Sequence, residues 1–313
     1  MIKNIILLLI LTTNLYAGTS DFRSHFFING KPVTTHHVMV MPGAPILLEV
    51  YFSNPRTDEI YKDFKLMHGK YMHMVVAKDD LSEFKHVHPY FDPTTGRFAL
   101  TLNLPYQDPD NQDVRSALKT PGMFMVMTDV IVKGVGMRMD HIMLHGHGNY
   151  TAQSLQADLD DNGAITKLFK RETEETVPTY KTLFSKSQLA GCSGSIVSFE
   201  IEVFKHDGNG NYFEMMNFQP WLDEAAHSVW LSENYMRSMG AKMPFAHMHS
   251  PFILEDDGTS SSRVYDHILR FNFHNQGQMK PGLQKIWVQF KDQDKIMKLP
   301  FIFNYIPQEI SGC

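Results

Sequence analysis

The sequence predicts an all-β protein built from two β-sandwich domains in tandem. Short segments between Gly and Pro residues carry apolar side chains at alternate positions, which is the period of a strand with one buried face. Long stretches with helical periodicity are scarce. At about 100–200 residues per domain, a chain of 313 residues has room for two domains. Many short strands with few helices favour two stacked sheets in each domain.

The clearest strands have counterparts in the two halves of the chain. Each carries apolar side chains at every second position, so that these side chains share one face. In the first half the residues are Ile46, Leu48, Val50 and Phe52, followed by Phe98, Leu100, Leu102 and Leu104. In the second half they are Val197, Phe199, Ile201 and Val203, followed by His267, Leu269, Phe271 and Phe273.

The order of motifs also repeats, which indicates an internal duplication. From His88 to Pro121 is 33 residues, and from His249 to Pro281 is 32. We therefore expect a first sandwich at 18–150, a more polar connecting segment at 151–189, and a second sandwich at 190–313. Two segments have a pattern that predicts helices instead, and these are 110–119 and 223–233.

Residues 1–17 have the composition of a secretory signal peptide. Lys3 precedes an apolar run from Ile5 to Leu11, and small residues stand at Ala17 and Gly18. This predicts a periplasmic or secreted protein. The run is shorter than the ~20 apolar residues that a membrane helix needs, so no membrane span is expected. The net charge of −5 disfavours nucleic acid as a partner.

The two cysteines, Cys192 and Cys313, bracket the C-terminal half of the chain. Disulfides persist in exported compartments, so we predict a bridge between them; the alternative is two free thiols. A blue-copper centre needs a Cys thiolate beside two histidines. The first domain has no cysteine, which excludes such a centre there.

Sixteen histidines and twenty methionines are many for this chain, and they are clustered. Residues two apart in a strand point to the same side, so His86 and His88 project together. If His73 lies on the neighbouring strand, its imidazole meets theirs, and His68 approaches from the start of that strand. The predicted metal ligands of the first domain are therefore His68, His73, His86 and His88. Met67 is a further predicted ligand, through its soft thioether sulfur.

The second half repeats this pattern with His227, His247 and His249, but it has no counterpart of His68. Each domain is thus expected to carry its own histidine cluster. The second cluster either binds a metal ion or keeps the arrangement of its histidines without binding one. A third group comprises His141, His145, Gly146 and His147. It is either a flexible metal-capturing piece or an exposed loop with incidental histidines.

Converging neutral imidazoles suit divalent copper or zinc. Thioethers favour copper, although methionines at strand spacing also fill cores. Glu83 and Glu224 are either bases toward a metal-bound water or solvated loop carboxylates. Because zinc-hydrolase and nucleophile-elbow motifs are absent from the sequence, a non-catalytic role is favoured. The methionines near the cluster are Met67, Met72, Met74, Met123, Met125 and Met127.

The segment from His68 to Pro89 resembles the signature of the YtkA-like, cupredoxin-type β-sandwich domains of bacterial exported proteins. In both, a histidine-bearing strand leads through Asp80-Leu81 and Phe84 to His-x-His-Pro. The tail from Gly282 to Phe290 is similar as well, as is Gln219-Pro-Trp-Leu before His227. The resemblance covers residues 26 to 305. It implies tandem Ig-like or cupredoxin-like sandwiches and a role in handling metal, chiefly copper, outside the cytoplasm.

The leading hypothesis is an exported protein that sequesters copper or delivers it to an envelope protein. One alternative is a structural or interaction module, in which hydrogen bonds satisfy the histidines and exposed aromatics such as Trp221 and Trp230 contact a protein partner. Another is a metal-dependent enzyme with an open coordination position.

Overall fold

A computed structural model of the chain describes residues 21–35, 37–103, 118–158, 164–171, 175–185, 195–233, 235–236, 245–250, 253–256, 261–264, 267–275 and 281–305. Within these ranges every regular element is a strand, which confirms the all-β prediction. None of the described segments forms an apolar helix long enough to cross a membrane. The predicted signal peptide, both cysteines, Leu104 and most of the helix predicted at 110–119 lie outside the described residues.

The first sandwich consists of two sheets. One sheet has the strand order β2-β1-β4-β9-β8, and the other has the order β3-β11-β10-β6-β7 with β5 also paired to β10. The strands are β1 (Arg23–Ile28), β2 (Lys31–Pro32), β3 (His37–Val40), β4 (Ile46–Ser53), β5 (Phe64–Lys65), β6 (Met72–Lys78), β7 (Phe84–Val87), β8 (Tyr90–Asp92), β9 (Arg97–Leu102), β10 (Gly122–Val132) and β11 (Gly136–Gly146).

The core of the first sandwich follows from the alternation in its strands. The predicted inward faces of β4 and β9 are buried, and Val50 pairs with Phe98 between them. From the opposite sheet, β6 contributes Met72, Met74 and Val76, again at every second position. These two methionines therefore pack in the core, as their strand spacing allows.

The second sandwich repeats this arrangement. One sheet has the order β12-β13-β14-β15 with β20 also paired to β14, and the facing sheet has the order β17-β16-β21-β22. β18 and β19 form a separate hairpin. The strands are β12 (Ala164–Phe169), β13 (Tyr180–Ser185), β14 (Ser195–His206), β15 (Tyr212–Glu214), β16 (Ala226–Ser232), β17 (Phe245–Ser250), β18 (Ile253–Asp256), β19 (Ser261–Val264), β20 (Ile268–Asn275), β21 (Gly282–Asp292) and β22 (Lys295–Tyr305).

The predicted inward face of β14 is buried, as are Leu269 and Phe271 of β20. His267 precedes β20 and is only partly buried. The segment predicted as a connector at 151–189 contributes β12 and β13 to the sheet, because β13 pairs along β14. Its apolar residues Ile165, Tyr180 and Phe184 belong to the core of the second sandwich.

The helix predicted at 223–233 is wrong. The segment contains β16, which pairs with β17 on one side and with β21 on the other. Every residue of β16 is buried, so neither of its faces meets solvent and the alternation that marks a half-buried strand is missing. Trp230 lies in the second core, so the exposure that the interaction-module alternative assigns to it is wrong.

The two sandwiches pack against each other through the outer faces of β6 and β10 and of β16 and β21. Like β6, β16 has one face in its own sandwich, and its other face meets the partner sandwich. The ring of Phe84 stacks on that of Trp287 with centroids 4.4 Å apart, and the Tyr235 hydroxyl donates to the Ala77 carbonyl at 2.9 Å. The buried members of this shared core are Val75, Ala77, Leu81, Phe84, Met125, Met127, Val229, Leu231, Tyr235, Phe245 and Trp287.

We expect Phe84→Ala to lower the free energy of unfolding by about 3–5 kcal/mol, because it leaves a cavity against Trp287 in the shared core. Phe213→Ala is the matched control: Phe213 is 50% exposed, and its truncation should change stability by less than about 0.5 kcal/mol. Urea denaturation measures both. Equal effects for the two variants would contradict the packing of the sandwiches against each other.

Candidate metal centre

Two tight turns, one from each sandwich, meet at one end of this interface. In the first, Met67 and Lys70 exchange backbone hydrogen bonds of 2.8 and 3.1 Å. Its central residues, His68 and Gly69, have φ values of 48° and 75°, as a type I′ turn requires. The turn directs the Met67 carbonyl toward the adjoining strand β6.

The second turn has the same construction. Trp221 and Glu224 exchange backbone hydrogen bonds, and Leu222 and Asp223 between them have positive φ. A Cβ added to Gly69 would lie 3.9 Å from the Leu222 Cα, so the two turns are in close contact. Leu222 stands where the first turn has His68, which is why the second half has no counterpart of that histidine.

The strands that follow the turns place histidines at equivalent positions. His73 is the second residue of β6, and His227 is the second residue of β16. His86 pairs with Val75, and His247 pairs with Val229, in matching registers. The repeat seen in the sequence is therefore a repeat in the positions of the imidazoles.

The rings converge within the first sandwich, as the sequence predicts. The centroids of His73 and His88 are 4.9 Å apart, and those of His86 and His88 are 4.7 Å apart. The rings of the second sandwich converge in nearly the same way, with the centroids of His227 and His249 4.8 Å apart.

The two groups do not form separate clusters, which differs from the expectation of one cluster in each domain. The ring of His247 lies 4.8 Å from that of His73 and 4.7 Å from that of His86. His68 stacks on His249 at 3.5 Å. The histidines of the two sandwiches meet because the outer faces of β6 and β16 pack against each other. We call this group the histidine cluster; it comprises His68, His73, His86, His88, His227, His247 and His249.

Three ring nitrogens of the cluster are close enough to share one ion. One ligand atom from each of His73, His86 and His247 lies within 4.8 Å of the other two. The Nδ1 atom of His73 is 3.1 Å from the Nε2 atom of His86. These three residues come from both sandwiches.

Neighbouring acceptors fix which nitrogen of each ring carries the proton. The Met67 carbonyl can only accept, so His73 donates from Nε2 at 2.9 Å and its Nδ1 keeps a lone pair. His247 donates from Nδ1 to Asp129 Oδ2 at 3.2 Å, and His86 donates from Nδ1 to Gln289 Oε1 at 3.1 Å. Such carbonyl and carboxylate partners orient histidine ligands in metal sites.

The surroundings keep the imidazoles neutral. Burial lowers the pKa of His73, and it lowers the pKa values of His86, His227 and His247 well below their usual range. Burial raises the pKa of Asp129 to about 6, so at neutral pH this carboxylate is ionised. Neutral rings with free lone pairs beside a buried anion are the chemistry that a cation requires.

Several buried nitrogens have no hydrogen-bond partner among the residues that the structure describes. They are both ring nitrogens of His227 and the Nε2 atoms of His247 and His249. Leaving a buried polar group unpaired costs about 1–3 kcal/mol. A neutral imidazole has one lone pair, and a metal ion would satisfy it on each of these rings, so the donor set fits a bound cation.

Two of the orienting residues, Asp129 and Gln289, did not emerge from the sequence. A signal exists, because each follows the Pro-Gly pair at Pro121 or Pro281 by eight residues. Asp129 pairs with His73, and Gln289 pairs with His227, in equivalent registers. Both positions are marked by an acid or an amide within a mainly apolar run, Met123–Val132 in β10 and Ile286–Phe290 in β21.

Other predicted residues are also located. Glu224 is not a solvated loop carboxylate, because its Oε1 atom lies 2.6 Å from His68 Nδ1 across the interface. Glu83 instead accepts a hydrogen bond from Thr120. Trp221 is buried with its ring 4.6 Å from that of His227, so the exposure that the interaction-module alternative assigns to it is wrong.

Comparisons with known proteins add little here. No family model matches the chain, and no curated protein matches it significantly. Among solved structures, it is similar to Escherichia coli alpha-2-macroglobulin activated by porcine elastase, with 10% sequence identity and a TM-score of 0.22. That match covers 92% of this chain and 20% of the other, so the chain spans about a fifth of that protein. Likeness at this level carries no argument about function.

We expect Gln289→Leu to lower the free energy of unfolding of the metal-free protein by about 1–3 kcal/mol, because the buried His86 Nδ1–H loses its acceptor. Urea denaturation in the presence of a chelator measures this. Gln153→Leu is the control, since Gln153 is exposed and its substitution should be nearly neutral. A Gln289→Leu protein as stable as the parent would show that His86 does not depend on this acceptor.

Proposed function

We propose that the protein is an exported copper-binding protein that sequesters the ion, or delivers it, in the cell envelope. The observation that carries the proposal is the convergence of His73, His86 and His247, from both sandwiches, with a ligand atom of each within 4.8 Å of the others. The leader-like composition of residues 1–17 supports export.

The donor set supports copper ahead of zinc. Imidazole nitrogen suits both ions, but for a given set of such ligands Cu(II) binds more tightly than Zn(II) in the Irving–Williams order. The buried carboxylate of Asp129, beside the cluster, would offset part of the positive charge of the ion. It would do so through His247, whose Nδ1–H it accepts.

Burial supports holding an ion over catalysis. The side chains of His73, His86 and His227 are buried, whereas that of His68 is 29% exposed. Catalytic metal sites keep a coordination position open to substrate. A site that solvent reaches only past partly exposed histidines such as His68 suits slow uptake and release.

The rival hypothesis, a module whose histidines are satisfied by hydrogen bonds, accounts for the N–H group of each of His73, His86 and His247. It does not account for His227, whose two buried ring nitrogens have no partner among the described residues. The aromatics that this hypothesis assigned to a protein partner are buried.

Titration with Cu(II) should reveal one tight equivalent, with a Kd below roughly 10 μM. Because both sandwiches contribute to one site, His73→Ala and His247→Ala should each abolish this same equivalent. Isothermal calorimetry measures it, with His206→Ala as a control on a histidine of the second sandwich remote from the cluster. If each variant lost one of two independent equivalents, the sandwiches would carry separate sites. No tight binding by the parent would reject the proposal.

Metal should also stabilise the fold, because the unfolded chain lacks the site. Saturation at about 100 times the Kd corresponds to about 2.7 kcal/mol of stabilisation. We therefore expect a higher Tm with Cu(II) and a smaller rise with Zn(II), both reversed by chelator. In the His73→Ala protein neither ion should raise the Tm. An equal rise with the two ions would contradict the preference for copper.

A further inference from the structure

A second pair of histidines lies at the opposite end of the same sheet. The Nδ1 atom of His37 on β3 is 2.7 Å from the Nε2 atom of His145 on β11, with the ring centroids 5.0 Å apart. His37 is exposed and His145 is partly buried. They meet because β3 runs parallel to β11 and pairs with its last four residues.

Methionines flank this pair on the same face. In the register of the sheet His145 lies beside Met39 of β3 and beside Met123 of β10. Paired residues of neighbouring strands point to the same side, so a row Met39, His145, Met123 crosses three strands. Met39 is 63% exposed, which places an apolar thioether in solvent.

The row borders an open cavity of about 440 Å³. Its lining includes Met39, Met123, His145, His147 and Tyr150. His147 is exposed, so imidazole and thioether groups both face a space that solvent reaches. The third histidine group therefore lies beside β3, a contact that the sequence did not predict.

This place is separate from the histidine cluster. Met123, which pairs with His145, precedes Asp129 by six residues on β10. Six residues of strand span about 20 Å, so no side chain reaches both places.

We propose that His37, His145 and Met39, with Met123 beside them, form a second, solvent-accessible site for Cu(I). Soft thioethers select Cu(I), and imidazole is a good copper ligand. A hydrogen bond between the two rings would explain their 2.7 Å separation, but it would not explain the methionines on both sides. The mixed donors distinguish this site from the nitrogen donors of the histidine cluster.

The test uses the full chain with methionine methyl groups labelled with ¹³C. Ag(I), a redox-silent substitute for Cu(I), is titrated first, and Cu(I) under reductant follows with a chromogenic chelator as competitor. The methyl resonances of Met39 and Met123 should shift with the first equivalent at this site. Met216, which is 47% exposed in the second sandwich, should not shift. Unmoved Met39 and Met123 methyl groups at saturation would overturn the proposal.

Variants separate this site from the histidine cluster. His37→Ala with His145→Ala should weaken binding of Cu(I) by at least about tenfold, and Met39→Leu should weaken it as well. Met137→Leu is the matched control, because Met137 is 52% exposed at the other end of β11. Unchanged Cu(I) affinity in the double variant would overturn the proposal.

The two proposals fail separately. In a His73→Ala, His247→Ala protein that remains folded by circular dichroism, the Met39 shift with Ag(I) should persist. In the His37→Ala, His145→Ala protein, the tight Cu(II) equivalent should remain. If the first pair of substitutions also removed the Met39 shift, no independent second site would exist.

Discussion

The structure depends on the packing of β6 against β16, because both faces of each strand must be buried. β6 and β16 are buried at every position, so neither sandwich alone can bury its outer face. At one end of the contact the covering side chains are apolar, as at Phe84 and Trp287, and they exclude water. At the other end they are imidazoles. Exclusion of water keeps those imidazoles neutral, since burial lowers their pKa values.

Each sandwich orients the histidines of the other. His86 of the first donates to Gln289 of the second, and His247 of the second donates to Asp129 of the first. The glutamate of the second turn reaches His68 in the same way. These partners select the ring nitrogen that keeps its lone pair, so the candidate ligand atoms of His86 and His247 are defined only when both domains are present. The repeat therefore produces one candidate site from two incomplete halves.

The sequence predicts what is local and misses what depends on docking. The inward faces of β4 and β14 follow from alternation, because each strand has one polar face. β16 has no solvent-exposed face and lacks this alternation, so its pattern is mistaken for a helix. The convergence of His73 with His88 is predictable from strand period and a hairpin. The proximity of His73 to His247 is not predictable from the sequence, because it depends on how the two domains pack against each other.

The methionines of β10 show how one strand face can serve two purposes. Residues 123, 125, 127 and 129 point to the same side because the side-chain period of a strand is two. Met125 and Met127 lie under the second sandwich and pack in the shared core, so their thioethers fill space there. Beyond the edge of that contact Met123 is only partly buried and borders an open cavity. A methionine of this face therefore fills the core where the sandwiches touch. Where they do not touch, its thioether is free to act as a soft donor. The extent of the interface, more than the sequence of the strand, decides between these two roles.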